Sequence, residues 1–398
     1  LRVVTVNDAL GHQKGDELLV QVAERIQCCV RASDTLARLG GDEFTVILRE
    51  LSNTGDIAPV TQGLITRLGE YFQLGKDRAY ISASIGVTVY PEDGTSSDIL
   101  LQNAYQAMYA AKQSGRNGFR FFTAAMQETA QLRTRLLNDL RQALQRSEFQ
   151  LYYQPIVCLS TGIIHKAEAL LRWKHPEYGF ISPSVFISVA EDSGLIHDIG
   201  DWVFKEAAQQ VKQWRERYHR DFQVSVNKSP AQFSGGKVAH RHWSDHLEML
   251  GLPGQSIVIE ITEGLLLNVD GGLKDKLLPF KNSGVQVAID DFGTGYSSLA
   301  YLNKLDIDFL KIDQSFTRNL SPGSTDSALC EAIVVMAHKL GQLVIAEGVE
   351  TEEQRALLVQ MGCDYGQGYL FSKPLPVREL EVFLAANQSA LASDGLTA

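Results

Sequence analysis

From about Phe149 to about Pro376 the chain repeats one unit, with eight candidate strands. A short apolar, β-branched run ends on a polar residue, and a longer amphipathic segment follows. The runs are "FQLYYQPIV", "IIHKAEALLRW", "FQVSVNKS", "SIVIEITE", "VQVAIDDFG", "DFLKIDQS", "LVIAEGVE" and "DYGQGYLFSKP". Strand followed by helix is the rhythm of a parallel sheet, because parallel neighbours need a crossover long enough to hold a helix. Eight such strands suit a closed (β/α)8 barrel of the TIM type better than an open sheet. The first two runs are joined only by "CLSTG", too short for a crossover helix. They are expected to form a hairpin, which makes this a modified barrel with one antiparallel strand.

The ends of these runs carry Glu168, Asn227, Glu260, Asp290 with Asp291, Lys311, Glu347 and Gln367. Active sites of such barrels are built at the C-terminal ends of the strands. One acid there is easily a cap or a turn. A rim of several would repel strongly unless a positive charge sat among them. The side-by-side Asp290 and Asp291, followed by a flexible Gly-Thr-Gly, are therefore read as neighbours on a metal-binding rim. The donors are carboxylates and an amide, which favour Mg²⁺, Mn²⁺ or Ca²⁺ over zinc. The acids outnumber the needs of one ion, so two ions fit, an arrangement suited to hydrolysing phosphate esters. Lys311 is placed to orient a water or to neutralise phosphate charge. Chemistry alone leaves an enolase-type site open. The surplus of acids weighs against a metal-free glycosidase.

At 398 residues the chain has room for two domains. Residues 1–122 alternate helical and strand patterns, 123–146 read as a helical connector, 147–387 hold the barrel, and 388–398 are expected to fray. Leu132, Leu136, Leu140 and Leu144 make one stripe along the connector. The net charge of −10 and the lack of a basic stripe argue against binding a nucleic-acid polymer. Five cysteines without a CxxC suggest reduced, mostly buried thiols of a cytoplasmic protein. No run is long enough to span a bilayer, so this segment is expected to make no membrane contact. The chain opens inside a β-rich stretch without an initiator Met, so a longer parent is expected, and an upstream inner-membrane anchor is compatible with it. His242 and His246 sit at helical spacing beside Asp245, but without a visible third ligand they read as a solvated helix face. The four tryptophans read as packing residues.

"EALLRW" resembles the signature of the EAL-domain cyclic-di-GMP phosphodiesterases. "YYQPI", "SVNKSPAQF", "IEITE", "DDFGTGYSSL", "LKID", "AEGVE" and "GQGYLFSKP" follow the same family in order. The resemblance implies one metal on Glu168, Asn227, Glu260 and Asp290, and a second on Asp291 with Asp290 bridging. It implies that Lys311 and Glu347 position or activate the water, that Glu263 braces the "DDFGTGYSSL" loop, and that Gln367 lies near the nucleophile. Arg172 and Gln154 are the expected substrate contacts. The implied reaction is hydrolysis of cyclic-di-GMP to linear pGpG with two Mg²⁺ or Mn²⁺ ions, in a homodimer formed through the EAL domain.

"RLGGDEF", from Arg38 to Phe44, resembles the GGDEF diguanylate cyclases. The resemblance implies a partial cyclase-like α/β domain that binds nucleotide, GTP included, through Asn7, Asp16, Asp42, Glu43, Lys112 and Arg116. Arg31 and Asp34 match that family's inhibitory cyclic-di-GMP site. That family carries a metal-binding Asp on the strand before "NDALGH", and here no Asp precedes Asn7. The GGDEF part is therefore expected to regulate the barrel. The alternatives are a bifunctional cyclase/phosphodiesterase in the intact parent, and a receptor that binds cyclic-di-GMP without cutting it.

Overall fold

A computed structural model of the chain describes residues 6, 10–51, 53–233, 238–267, 272–295, 302 and 305–393. The chain divides into two compact units, Leu1–Arg135 and Leu136–Ala398.

In the first unit, helix α1 (His12–Gln27) buries Leu18, Leu19, Val22 and Ile26, which recur at helical spacing. Arg25 on α1 lies 3.6 Å over the Phe72 ring and donates to the carbonyls of Arg67, Glu70 and Tyr71. Strands β1 (Thr35–Gly40) and β2 (Glu43–Ile47) form an antiparallel hairpin with the Gly-Gly-Asp stretch at its tip. Gly41 has φ +50°, a turn conformation that glycine adopts without a Cβ penalty, and Arg38 donates twice to its carbonyl. Helix α2 (Ile57–Gly69) follows, then the pair β3 (Phe72–Leu74) and β4 (Asp77–Ala79). Strand β5 (Ser84–Val87), helix α3 (Ser97–Gln113) and strand β6 (Gly118–Phe121) complete the unit, with β5 and β6 parallel.

Helix α4 (Ala124–Ala143) carries Leu132, Leu136 and Leu140 of the expected stripe; Leu136 and Leu140 are buried in the core of the second unit, Leu132 is exposed, and Leu144 follows the helix end. Strands β7 (Phe149–Cys158) and β8 (Ile164–His175) form the expected hairpin. Strands β10 (Gln223–Asn227), β11 (Ile257–Thr262), β12 (Gln286–Phe292), β13 (Phe309–Ile312), β14 (Leu343–Ala346) and β15 (Tyr365–Gly366) follow. The ring closes as β7–β8–β10–β11–β12–β13–β14–β15–β7, and β7 runs against both neighbours. This is the modified eight-stranded barrel. Two short strands extend it: β9 (Gly179–Ile181) pairs with the far end of β8, and β16 (Leu375–Pro376) pairs with β7.

Strands β10 to β14 read as near-continuous apolar runs because both faces are covered, by helices outside and by barrel filling inside. The middle of the barrel is filled by Ile156, Val258, Ala288, Phe309 and Ile345. The outer layer packs Trp173, Trp214 and Trp243 against helices, so these tryptophans are core residues.

Three expectations need correction. The terminal helix, Val377–Ser393, runs through Gln388–Ser393, part of the stretch expected to fray. Its alanines, leucine and glutamine are sufficient helix formers. The cysteines are all free, but only Cys330 and Cys363 are buried; Cys28 is exposed, and Cys29 and Cys158 are intermediate. His246 packs edge-on against Phe204 and its Nε2 is buried without a partner, so it is not on a solvated face. The side chain of His242 lies outside the described residues. Among the described residues, no helix is long and apolar enough to cross a membrane.

Candidate metal centre

The strand-end residues converge on Lys311. This side chain is fully buried on β13, whose four residues all lie inside. Its Nζ lies 2.7 Å from Glu260 Oε2, 2.7 Å from Glu347 Oε1, 3.1 Å from Asp290 Oδ1 and 3.5 Å from Glu168 Oε2. Four carboxylates, three from strands β8, β11 and β12 and one from the residue just past β14, thus surround one ammonium. Burial opposes the charge on Lys311, but the four acids outweigh it and hold the ammonium well above its ordinary range.

The amides complete the ring. Asn227 Nδ2 donates to Glu168 Oε1 at 2.7 Å, and Gln367 Nε2 donates to Glu168 Oε2 at 2.7 Å and to Gln154 Oε1 at 3.0 Å. Gln154 in turn donates to the Ser372 carbonyl. Burial pushes Glu168 up, yet Lys311 and the two amides prevail and hold it below the ordinary carboxylate value. Glu260 moves the other way: burial, then the Glu168 charge, raise it well above that value.

Adjacent residues of a regular strand point to opposite faces. Asp290 and Asp291 nevertheless share a rim, because the β12–β13 register slips between Ile289 and Phe292 and Asp291 takes a left-handed φ of +56°. That conformation is costly for a non-glycine residue and is held here by its surroundings. The Asp291 amide donates to Asp290 Oδ1 at 3.1 Å. Oxygens of Asp290, Asp291 and Glu347 all lie within 4.8 Å of one another, a group able to hold a metal ion.

The loop after this pair is tied down by Glu263, whose Oε2 accepts from the amides of Gly293 at 2.8 Å and Gly295 at 3.3 Å. A Cβ on Gly295 would meet Glu263 Oε1 at 2.8 Å, so the close approach requires glycine. Tyr296 to Ala300 lie outside the described residues. Charge-assisted bonds of this kind orient ligands they do not replace. Glu263→Gln should therefore weaken divalent-ion binding about tenfold while leaving the fold unchanged. A Mn²⁺ titration checks this; wild-type affinity would remove the bracing role.

The residues fit a divalent ion on two grounds. Glu260 Oε1 is buried and has no hydrogen-bond partner. Buried acceptors are nearly always satisfied, so this oxygen lacks something positive. In addition, Asp291 is pushed up to about 6 by burial and then by the Asp290 and Asp313 charges, and Glu347 to about 7 by burial, with Lys311 opposing.

These shifts fix a pH dependence. The folded values lie above the ordinary 3.8 and 4.5, so the metal-free fold is favoured by protonated acids at low pH. That stabilisation is lost as pH rises through about 6 and then about 7. An ion that replaces those protons offsets the loss. The rise in Tm on adding Mg²⁺ should accordingly be larger at pH 8 than at pH 5.5 in thermal unfolding. An equal rise at both would speak against these acids as ligands.

Arg172 is half-buried above this ring, its guanidinium 5.6 Å from the Tyr152 ring centre, with burial lowering its pKa and the nearby Glu168 charge opposing that. Asp313, two residues past Lys311, puts a further negative charge near Asp291 and caps the next short helix by accepting from the Ser315 amide. Sequence reading passed over it; its place on the same face of "LKID" as Lys311 was the available signal.

The first-unit residues are placed less closely. Asp16 is exposed on α1, Asp42 and Glu43 stand at the hairpin tip, Lys112 is in the last turn of α3, and Arg116 follows with φ +60°. Asn7 lies outside the described residues. Asp34 closes the hairpin: its carboxylate accepts from the Arg49 and Arg31 amides, which hold it below the usual carboxylate range. Arg31 itself is exposed.

Comparison with known proteins places these elements. Residues 137–374 match the family described as EAL domain. The chain belongs to the EAL family. Residues 4–118 match the family described as diguanylate cyclase, GGDEF domain, so the EAL domain follows a GGDEF domain in tandem. A bifunctional diguanylate cyclase/cyclic di-GMP phosphodiesterase, MucR of Pseudomonas aeruginosa, is 43% identical over 94% of this chain and 54% of its own length. The cyclic di-GMP phosphodiesterase PdeR of Escherichia coli is 38% identical over 94% of this chain and 56% of its own. The chain thus spans about half the length of the curated relatives it matches. Among solved structures, a MucR phosphodiesterase in complex with c-di-GMP is 40% identical, with TM-score 0.59 over 62% of this chain and 99% of that one. An EAL domain protein from Listeria monocytogenes is 33% identical, with TM-score 0.54 over 61% of this chain and 95% of that one.

Proposed function

We propose that the barrel is a metal-dependent phosphodiesterase that hydrolyses cyclic-di-GMP to linear pGpG. The observation that carries this is the ring of four carboxylates around Lys311 with Glu260 Oε1 left unpartnered. The names of the relatives supply the substrate.

Glu168, Asn227, Glu260, Asp290 and Asp291 would hold two Mg²⁺ or Mn²⁺ ions, since all five offer hard oxygen donors. Bound there, the ions supply Lewis-acid activation of water and neutralise charge on the scissile phosphate. The chain does the rest. Glu347, pushed up to about 7, is poised to take a proton from water near neutral pH and to pass it on. Lys311 keeps the acids apart and presents a positive charge to the phosphate. Gln367 and Gln154 fix the orientation of Glu168, and Gln367 Oε1, buried without a partner, is free to accept from a water or the substrate. Arg172 contacts the substrate phosphate from the wall above. Glu263 holds the loop that follows the Asp pair.

The GGDEF domain, residues 1–122, would regulate the barrel, residues 147–387, by binding GTP or cyclic-di-GMP. Pairing through the EAL domain into a homodimer belongs to the same proposal, as does a cytoplasmic location. The test is a time course of cyclic-di-GMP with purified protein and Mn²⁺ or Mg²⁺, resolved by chromatography, with and without GTP. Appearance of pGpG that EDTA abolishes is the expected result. Tight binding with no turnover in saturating metal would replace this function with that of a receptor.

A further inference from the structure

Strand β8 does not stop at the rim. Its pairing with β10 ends at Ala169, yet it continues to His175, and Arg172 stands on this extension. Glu168, Leu170 and Arg172 share one face by the two-residue period, so the extension carries the face of the metal ring upward. Past Ala169 its backbone is held by β7, from Leu170 to Trp173, and by β9, from Trp173 to His175.

Glu148 adds three bonds at the end of these ladders, two through its backbone and one through its carboxylate. Its amide donates to the Ala143 carbonyl at 3.0 Å, its carbonyl accepts from the Lys174 amide at 2.9 Å, and its Oε2 accepts from Trp173 Nε1 at 3.0 Å. The Glu148 side chain is 10% exposed, and Trp173 is fully buried against the Phe149 and Phe186 rings. A second tie lies two residues on. His175 Nδ1 accepts from the Glu177 and Tyr178 amides, and its Nε2 faces Asp139 Oδ2 of α4 at 3.3 Å. Arg172 is therefore flanked on its C-terminal side by two residues anchored to the segment that enters the barrel.

We propose that Glu148 is a positioning residue: by fixing the Trp173 indole it sets where the neighbouring Arg172 meets the substrate. This rests on Arg172 being the phosphate contact. Glu148 touches neither the metal ring nor the space above it. Losing its carboxylate frees the Trp173 indole beside Arg172, while the backbone ladders and the ion ligands stay in place.

The test uses the full chain with Glu148→Ala, Glu148→Gln, Trp173→Phe, Arg172→Ala and the Glu148→Ala/Arg172→Ala double variant. KM for cyclic-di-GMP is read in Mn²⁺, and equilibrium binding of cyclic-di-GMP is read in Ca²⁺, so that the outcome does not depend on turnover. Glu148→Ala should raise KM and Kd about tenfold, as loss of an orienting partner does, with kcat and Mn²⁺ affinity within about twofold. Glu148→Gln keeps an acceptor for Trp173 and should restore wild-type values. Trp173→Phe removes the donor from the other side and should resemble Glu148→Ala. In the Arg172→Ala background, Glu148→Ala should add nothing. An unchanged KM in Glu148→Ala, an equal defect in Glu148→Gln, or full additivity with Arg172→Ala overturns the positioning role alone. Unchanged KM and Kd in Arg172→Ala overturns the phosphate-contact reading and the positioning role with it.

Discussion

Lys311→Met, stripped of metal at pH 8, loses about 3–5 kcal/mol of stability, the usual cost of removing one partner from a buried charge cluster. Methionine matches the lysine stem in volume, so the loss comes from charge and not from a cavity. Glu168, Glu260, Asp290 and Glu347 then face one another with no ammonium between them. The acids have one internal remedy, which is to bind protons. Glu260 already titrates well above its ordinary value and Glu347 at about 7 with Lys311 present, so both protonate more readily without it. The defect should therefore shrink as pH falls towards 5 and grow as it rises. Mg²⁺ should restore part of the stability by supplying the missing charge. Urea unfolding with EDTA or with Mg²⁺, at pH 5 and pH 8, reads all three effects. Wild-type stability in EDTA at pH 8 would show that the acids do not depend on Lys311.

The barrel was legible in sequence because its strands are buried on both faces and so appear as apolar runs of nearly the right length. All eight runs fall on barrel strands, and the short "CLSTG" link identifies the antiparallel one. The β9 extension was not visible, since "GFI" is too short to carry a period and is defined by its pairing with Trp173 to His175. Nor was the brevity of β15, two residues in an eleven-residue motif, because the rest of that motif folds as a loop around Gln367.

At the site, sequence placed the acids on one rim but could not give their grouping. Lys311 was read as orienting a water or neutralising phosphate charge, and its place at the centre of four carboxylates was not foreseen. Glu347 was assigned to the water, and the structure also sets it with Asp290 and Asp291. Both facts depend on which strands are neighbours across the barrel, and strand order is not written in any local pattern. The paired aspartates are the reverse case. Period-2 logic would have sent one of them outward, and it is the register slip with the positive φ of Asp291 that keeps both on the rim. Glu148 left no signal of its own, because an acid beside a strand is ordinary until its partners are known.

Glu168→Ala should lower turnover of cyclic-di-GMP by about a thousandfold, the scale of losing a central electrostatic group from a water-excluded site. The fold should survive it. Truncation releases Asn227 Nδ2 and Gln367 Nε2, two hydrogen bonds worth about 1 kcal/mol each. Against that loss, it removes a negative charge that raises Glu260, the second cause of that shift after burial. The two effects oppose each other, so the change in stability should stay within about 2 kcal/mol. Lys311 retains Glu260, Glu347 and Asp290 as partners. Arg172 stays on its wall, so cyclic-di-GMP should still bind. Steady-state kinetics with pGpG as the readout, beside a thermal melt of the same preparation, separates the outcomes. A thousandfold loss with a near wild-type melt assigns Glu168 to the chemistry, whereas turnover that survives the substitution would sink the metal-centre assignment from which the proposed activity follows.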